Sequence, residues 1–350
     1  MSCYHPLVGI PTDCLTENGK KKIKIIGNEW FKKHSLTELN KLNGIVIPCG
    51  HCIGCRLDYS RSWADRMMLE LETAKKGIFL TLTYDNKHVP VSEYQDFGKW
   101  SDIGQEMIDD LGLVFDGEEW LIPKTYTLCK RDFQLFMKKL RKEFAKDWLK
   151  IRFFASGEYG SQTDRPHYHA IIFGIGLDDI GDCVPTGRND IGQPYFKSEK
   201  IRKIWDNGHI LVTDVSFETC AYVARYVVKK LSGDMAIDYA KKNRIPEFSL
   251  MSRKPGIGAY YLELHPECLD YENINLSTKD KGLKIRIPKY YLKQMQLTDP
   301  ARYEKMMEQR KRLASDSMML QLQNTSLNYL EYLEVKEENR KQKIKVLKRK

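Results

Sequence analysis

The chain has 350 residues, 42% of them hydrophobic, and a formal net charge of +10 from 57 lysines and arginines against 47 aspartates and glutamates. It can bury a sizeable core, as one large domain or as a core with appendages. The absence of any apolar run of about eighteen residues excludes a spanning helix, and the start MSCYHPLVGIPTD lacks the charged-then-apolar order of a secretory signal.

The basic excess fits a polyanionic partner, either nucleic acid or an anionic membrane surface. A basic tail explains part of it, since the chain ends IKVLKRK. The nine cysteines are an odd number. A reducing compartment is the better expectation for them, with clustered cysteines holding metal rather than disulfides.

Three regions are expected: 1–76, 77–232 and 233–350. The first carries Cys49, Cys52 and Cys55 as C-x2-C-x2-C in a glycine-rich turn. Thiolates at this spacing can reach one ion. Cys3 is the candidate fourth ligand, with His51 or Cys14 behind it. Structural Zn2+ is the expected occupant, and an iron–sulfur cluster also suits three close cysteines plus a distant one. Three unligated cysteines are the bland alternative. A bound metal would pin the N-terminus and the loop before a helix expected over 57–76.

The middle region carries the strongest periodic signals. Residues 78–84 (IFLTLTY) read as a strand, and 85–128 as an irregular insertion. Apolar residues Phe133, Phe136, Met137, Leu140 and Phe144 predict a helix over 130–145. Strands follow at 151–158 and 167–173, joined by a turn-rich loop. A short helix over 198–205, a strand over 209–215 and a helix over 217–231 complete the region. The first six elements match the split βαβ, ferredoxin-like plan, in which the third strand is central. The fold expectation is therefore α+β, with an antiparallel ferredoxin-like or RRM-like sheet. Residues 233–350 are expected to be mostly helical, with 302–350 as one long helix frayed at a basic end.

His167 and His169 are two apart on a strand and point to one face. If Glu158 pairs opposite His167, its carboxylate shares that face. Two imidazoles and a carboxylate suit a divalent cation with open positions, usable as a Lewis acid. Two histidines on a polar strand face are the bland alternative. In FETCAYVARYVVKKL the apolar stripe runs through Phe217, Cys220, Ala221, Ala224, Val228 and Leu231. Tyr222, Tyr226 and Lys229 fall on the opposite side, with Arg225 flanking them. Two surface tyrosines would look the same. Beside a metal hairpin, however, a phenolate can attack a phosphodiester and form a phosphotyrosine.

With these residues in place, the chain resembles the HUH superfamily of replication initiators and relaxases. More narrowly, it is similar to the replication initiation proteins of small single-stranded DNA phages of the Microviridae, especially the gokushovirus type. The matching pieces are PCGHCIGC, FLTLTY, GEYGSQTDRPHYHAIIFG and YVARYVVKKL, in order between residues 48 and 231; SRKPGIGAYYLE also looks familial. The resemblance implies an HUH endonuclease core. His167 and His169, with Glu158 as third ligand, would hold Mg2+ or Mn2+. Tyr222 and Tyr226 would be paired nucleophiles, and Lys229 or Arg225 would stabilise the scissile phosphate. A lysine often precedes the second tyrosine in the family, and here Arg225 stands there. The central position of the motif is hydrophobic in the family, which Tyr168 meets in part.

The function so implied is a rolling-circle initiator. It nicks single-stranded origin DNA, keeps the 5′ phosphate on tyrosine, frees a 3′ hydroxyl and later rejoins the strand. A transposase or plasmid relaxase shares this chemistry. A non-catalytic zinc-containing DNA-binding protein is the alternative of another class. No G-x-x-x-x-G-K-[ST] occurs, so helicase and polymerase are expected from the host, in a bacterial cytoplasm, with no membrane partner. Arg61, Arg66, Lys75, Lys76, Arg152, Arg165, Lys197, Lys200, Arg202 and Lys203 are candidate phosphate contacts. Phe153, Tyr159, Tyr195 and Trp205 are candidate base-stacking rings, and 341–350 is a candidate nonspecific backbone contact.

Overall fold

The computed structural model describes residues 3–17, 21–92, 96–99, 114–115, 117–121, 126–144, 150–160, 162–188, 192–229, 239, 244–277 and 282–347; side chains are described except at 96–99, 114, 119–121, 227–229 and 346–347. The chain forms two compact units, Met1–Tyr59 with Pro288–Lys350, and Ser60–Ile287. These cut across the three consecutive regions drawn from the sequence.

The first unit opens with β1 (Leu7–Leu15), β2 (Lys21–Ile26) and β3 (Ile45–Ile47) in the order β2-β1-β3. Helix α1 (Leu36–Lys41) starts with a capping box. The Ser35 hydroxyl accepts from the Glu38 amide at 3.2 Å, and the Glu38 carboxylate accepts from the Ser35 amide at 2.6 Å. Val8, Phe31 and Leu39 form its small core, and Tyr329 packs against Phe31 with ring centres 4.7 Å apart. Helix α2 (Ile53–Ala74) follows the cysteine turn and starts four residues before its expected position.

The second unit is built on one seven-stranded antiparallel sheet. Its members are β4 (Gly77–Tyr84), β8 (Arg152–Tyr159), β9 (Pro166–Phe173), β10 (Val184–Arg188), β11 (Pro194–Lys197), β12 (Gly208–Asp214) and β13 (Phe248–Met251), in the order β10-β11-β12-β4-β9-β8-β13. The four strands anticipated from the sequence form its middle, in the order fourth, first, third, second. Strand β9 is therefore interior, paired with β4 on one side and β8 on the other. Helix α3 (Lys130–Glu143) lies between β4 and β8, and α5 (Glu199–Trp205) precedes β12; a one-turn α4 (Leu177–Ile180) follows β9. Within 85–128, three short strands, β5 (Asp96–Lys99), β6 (Val114–Phe115) and β7 (Glu119–Leu121), form a separate sheet.

Strand alternation gives the main sheet two chemically different faces. Ile78, Leu80 and Leu82 of β4, Tyr168, Ala170 and Ile172 of β9, and Ile210 and Val212 of β12 point to one side. There they meet Phe133, Phe136, Met137 and Leu140 of α3 and Ile201, Ile204 and Trp205 of α5. Each such fully buried side chain contributes about 1.5–3 kcal/mol. Tyr168 belongs to this core: it is fully buried, and its hydroxyl donates to the Cys129 carbonyl at 2.7 Å. The intervening residues, Thr81, Ser156, Glu158, His167 and His169, point to the other side. That side is partly covered by α6 (Phe217–Lys229) and by the later part of α2, where Trp63 packs on Phe154 at 5.1 Å.

Beyond α6 the structure departs from the expected helical run. Strand β13 adds an edge to the sheet, and a short α7 (Ala259–Leu264) precedes a hairpin of β14 (Asn273–Ser277) and β15 (Gly282–Arg286). The first unit then closes with α8 (Lys289–Thr298), α9 (Pro300–Gln323) and α10 (Tyr329–Leu347). The single long helix expected over 302–350 is thus two helices. Asn324 ends α9, and the Asn328 side chain accepts from the Leu330 and Glu331 amides at 3.0 and 3.1 Å, while Glu331 accepts from the Asn328 amide at 2.9 Å. Polar residues in NTSLN bond the backbone locally and start a new helix. Among the described residues no helix is long and apolar enough to cross a membrane.

Candidate active site

The polar face of the sheet concentrates chemistry at the β8–β9 junction. Glu158 lies opposite His167 in the register, and Ser156 opposite His169. One oxygen of Glu158, Oε1, is 2.9 Å from Nε2 of His167 and 2.7 Å from Nε2 of His169. The carboxylate is 3% exposed, so water is largely replaced by the two imidazoles. Nδ1 of His167 donates to the Arg165 carbonyl at 3.1 Å, and Nδ1 of His169 faces the Thr81 hydroxyl at 3.0 Å. Both outer nitrogens are thereby engaged, and both Nε2 atoms turn inward.

The electrostatics follow from burial against pairing. Burial pushes the Glu158 carboxyl up, but hydrogen bonds from His167 and His169 outweigh it and hold it below the usual carboxylate range. Burial opposes charge on His167 too, yet Glu158 raises it above the ordinary imidazole value. For His169 burial wins, and its value falls. The ligand atoms of Glu158, His167 and His169 lie within 4.8 Å of one another. Two inward imidazole nitrogens and an ionised carboxylate are a donor set that fits a divalent cation.

Helix α6 brings the tyrosines to this cluster. The Tyr222 hydroxyl is 3.4 Å from Nε2 of His169, with the two rings perpendicular at 4.9 Å. The Tyr226 ring lies 6.0 Å from His169 and 5.3 Å from Tyr222. Phe79 stacks on His169 at 5.6 Å. The helix is turned relative to the stripe expected from its sequence. Thr219 and Val223 are buried along with Cys220 and Ala224, so Tyr222 and Tyr226 sit half-buried at the border of the sheet-facing side rather than opposite it. Burial raises both phenols above the ordinary tyrosine value, and nearby Glu158 adds to this in each case. Tyr195, on β11, is close enough to Tyr222 to disfavour its ionisation, while Arg225 favours it.

Arg225 is exposed, with its guanidinium 5.3 Å from the Tyr222 ring centre. The side chain of Lys229 lies outside the described residues. The Cys3, Cys49, Cys52 and Cys55 sulfurs cluster in the first unit, within 4.8 Å of one another. His51 and Cys14, the alternative fourth ligands, are exposed.

Several basic and aromatic candidates have structural partners instead. Arg152 is buried, pairs with Glu70, and donates to the Pro255 and Gly256 carbonyls at 3.0 and 2.9 Å. Arg66 donates to the Ile257 carbonyl at 2.8 Å. Lys76 pairs with Asp178 and Asp179, Lys75 with Glu72, Arg202 with Glu199, and Arg61 with Asp65. Trp205 and Tyr159, 1% and 7% exposed, are core residues and do not offer a face to bases.

A mixed α/β protein with an antiparallel sheet, a buried carboxylate–imidazole cluster and adjoining paired phenols is the class these features define. Residues 113–231, which span the cluster and both tyrosines, match the family model for replication-associated protein ORF2. The chain is 28% identical over 340 residues to replication-associated protein ORF2 of Spiroplasma virus 4, covering 95% of this chain and 93% of that one. It is 30% identical over 259 residues to replication-associated protein VP4 of Bdellovibrio phage phiMH2K (72% and 68% covered) and 25% identical over 251 residues to replication-associated protein ORF4 of Chlamydia phage 1 (70% and 52%). No solved structure matches. The chain belongs to the replication-associated proteins of Microviridae-type phages.

Proposed function

We propose that this protein starts rolling-circle replication by nicking single-stranded origin DNA through a tyrosine, and rejoins the strand afterwards. The observation that carries this is the Tyr222 hydroxyl 3.4 Å from Nε2 of His169, a member of the Glu158–His167–His169 cluster. The strand order fourth, first, third, second supports reading the sheet as the ferredoxin-like core of an HUH endonuclease.

Glu158, His167 and His169 would hold Mg2+ or Mn2+. Such a cation polarises a phosphoryl oxygen and neutralises developing charge. Thr81 and the Arg165 carbonyl orient the imidazoles. Tyr222 supplies the nucleophilic oxygen. Its phenol gives up a proton as the new phosphorus–oxygen bond forms, the bond from phosphorus to the 3′ oxygen breaks, and the departing oxygen takes up a proton to become a 3′ hydroxyl. The bond count is unchanged, so the phosphotyrosine stores what rejoining needs. Arg225 balances charge on the phosphate but keeps its own proton. Lys229 is the second candidate for that role. Tyr226, one turn on, offers the phenol for a second, linked transesterification. Strand opening and synthesis fall to host helicase and polymerase, and the site of action is the host bacterial cytoplasm.

The test is incubation of the full chain with labelled single strands tiled across the viral genome, with Mn2+, followed by a denaturing gel. A covalent adduct lost in EDTA and in Tyr222→Phe/Tyr226→Phe is expected. Specific binding without an adduct on any strand would mark a binding module instead.

A further inference from the structure

We propose that Cys3, Cys49, Cys52 and Cys55 hold one Zn2+ ion in closed tetrahedral coordination, and that this ion fastens the start of the chain to the turn that launches α2. The inference stands apart from the nicking chemistry and survives its failure.

The sulfurs have the spacing a single ion needs. Cys49 and Cys55 are 4.0 Å apart, and Cys3 and Cys52 are 3.9 Å apart. Four thiolates at about 2.3 Å from one zinc sit about 3.8 Å from one another at the corners of a tetrahedron. All four cysteines are free of disulfides, and their separations are about twice a sulfur–sulfur bond. A four-iron cluster places each thiolate on a different iron and so spreads the sulfurs further apart than one shared ion does. The compact arrangement therefore favours a mononuclear site, and zinc is the borderline-soft ion that takes four thiolates without redox chemistry.

The backbone is arranged for thiolates rather than thiols. The Cys49 amide donates to the Cys3 sulfur at 3.2 Å and the Cys52 amide to Cys49 at 3.3 Å; the Tyr4 and Cys55 amides donate to Cys52 at 3.3 and 3.5 Å. These donors come from the residues that the site would fasten: Tyr4 at the chain start, and the turn leading into α2. Four protein sulfurs complete the coordination and leave no position for substrate, so the ion's role is structural. Residues 3 and 49 are joined only through a small three-stranded sheet with an exposed partner strand, β2. A cross-link at this point closes the loop that carries that sheet.

The test uses the full chain carrying His167→Ala/His169→Ala, so that any zinc counted belongs to the cysteines. Elemental analysis is expected to find one zinc per chain and no iron. Titration with a mercurial should release that zinc in step with four thiols. Exchange with Co2+ should give the intense sulfur-to-metal charge-transfer and visible bands of a tetrahedral thiolate site. Adding Cys49→Ser/Cys52→Ser should abolish zinc retention. Should that variant fail to fold, the Co2+ spectrum of its parent decides. Zinc retained by the cysteine variant, iron with sulfide in place of zinc, or Co2+ bound without charge-transfer bands would each overturn the proposal.

Discussion

The Thr81 hydroxyl lies 3.0 Å from Nδ1 of His169, across the β4–β9 register that sets the two residues side by side. A metal-ligating histidine held at its outer nitrogen keeps its ring orientation and presents the other nitrogen inward. Thr81→Val is expected to lower Mn2+ affinity about 10- to 100-fold, while Thr81→Ser restores it to within a few-fold. Calorimetric titration of Mn2+ on folded variants checks this. Equal affinity in all three proteins would remove Thr81 from the site.

The two tyrosines are not equivalent in the structure. The Tyr222 hydroxyl contacts His169, whereas the Tyr226 ring is 6.0 Å away. Tyr222→Phe should therefore reduce first cleavage by about 1000-fold, ~4 kcal/mol of barrier. Tyr226→Phe should leave first cleavage within about tenfold and impair rejoining instead. Single-turnover kinetics on a labelled strand separates the two steps.

Arg152 tests the difference between a DNA contact and a structural ion. It is 8% exposed, paired with Glu70, and bonded to the Pro255 and Gly256 carbonyls. Glu70 also accepts from the Gly258 amide at 2.6 Å. Removing one partner leaves a buried charge uncompensated, so Arg152→Ala should destabilise the protein by about 3–5 kcal/mol. Denaturant unfolding checks this. An undiminished stability together with weakened DNA binding would return Arg152 to the DNA-facing set.

The first unit contains a pH-sensitive tie. Glu337 is 3.0 Å from His5 and 3.2 Å from Lys341. Burial pushes its carboxyl up, but those two partners outweigh it and hold it below the usual range. A depressed folded value means that its stabilisation is fully present above the ordinary glutamate value and is lost as the pH falls through the depressed one. Amide exchange of the first unit should rise across that acidic window in the native chain, and Glu337→Gln should flatten the difference. Identical pH profiles for the two proteins would contradict it.

Local periodicity made much of this legible. The alternation in FLTLTY and HYHAIIF put His167 and His169 on one face, and the β8–β9 pairing opposite Glu158 follows from the short loop between them. The sequence concealed what depends on long-range contact. The sheet-facing side of α6 is set by Thr219 and Val223 packing on strands, which an apolar stripe alone does not reveal. The basic residues looked alike in sequence. Only the fold shows that Arg152 and Arg66 are consumed by the backbone of the SRKPGIG segment. The strands NINLS and GLKIR do alternate, and their period-2 pattern was readable but hidden within a polar, charged stretch. The break at 324–328 had its own signal too, an Asn three residues before Glu331.

Mass spectrometry of the protease-digested covalent adduct tests the central claim most directly. The account predicts a 5′-phosphorylated nucleotide remnant on the peptide carrying Tyr222, formed only with Mg2+ or Mn2+ and missing in His169→Ala. A remnant on a residue remote from the Glu158–His167–His169 cluster, or an adduct that forms undiminished in His169→Ala and in chelator, would contradict it.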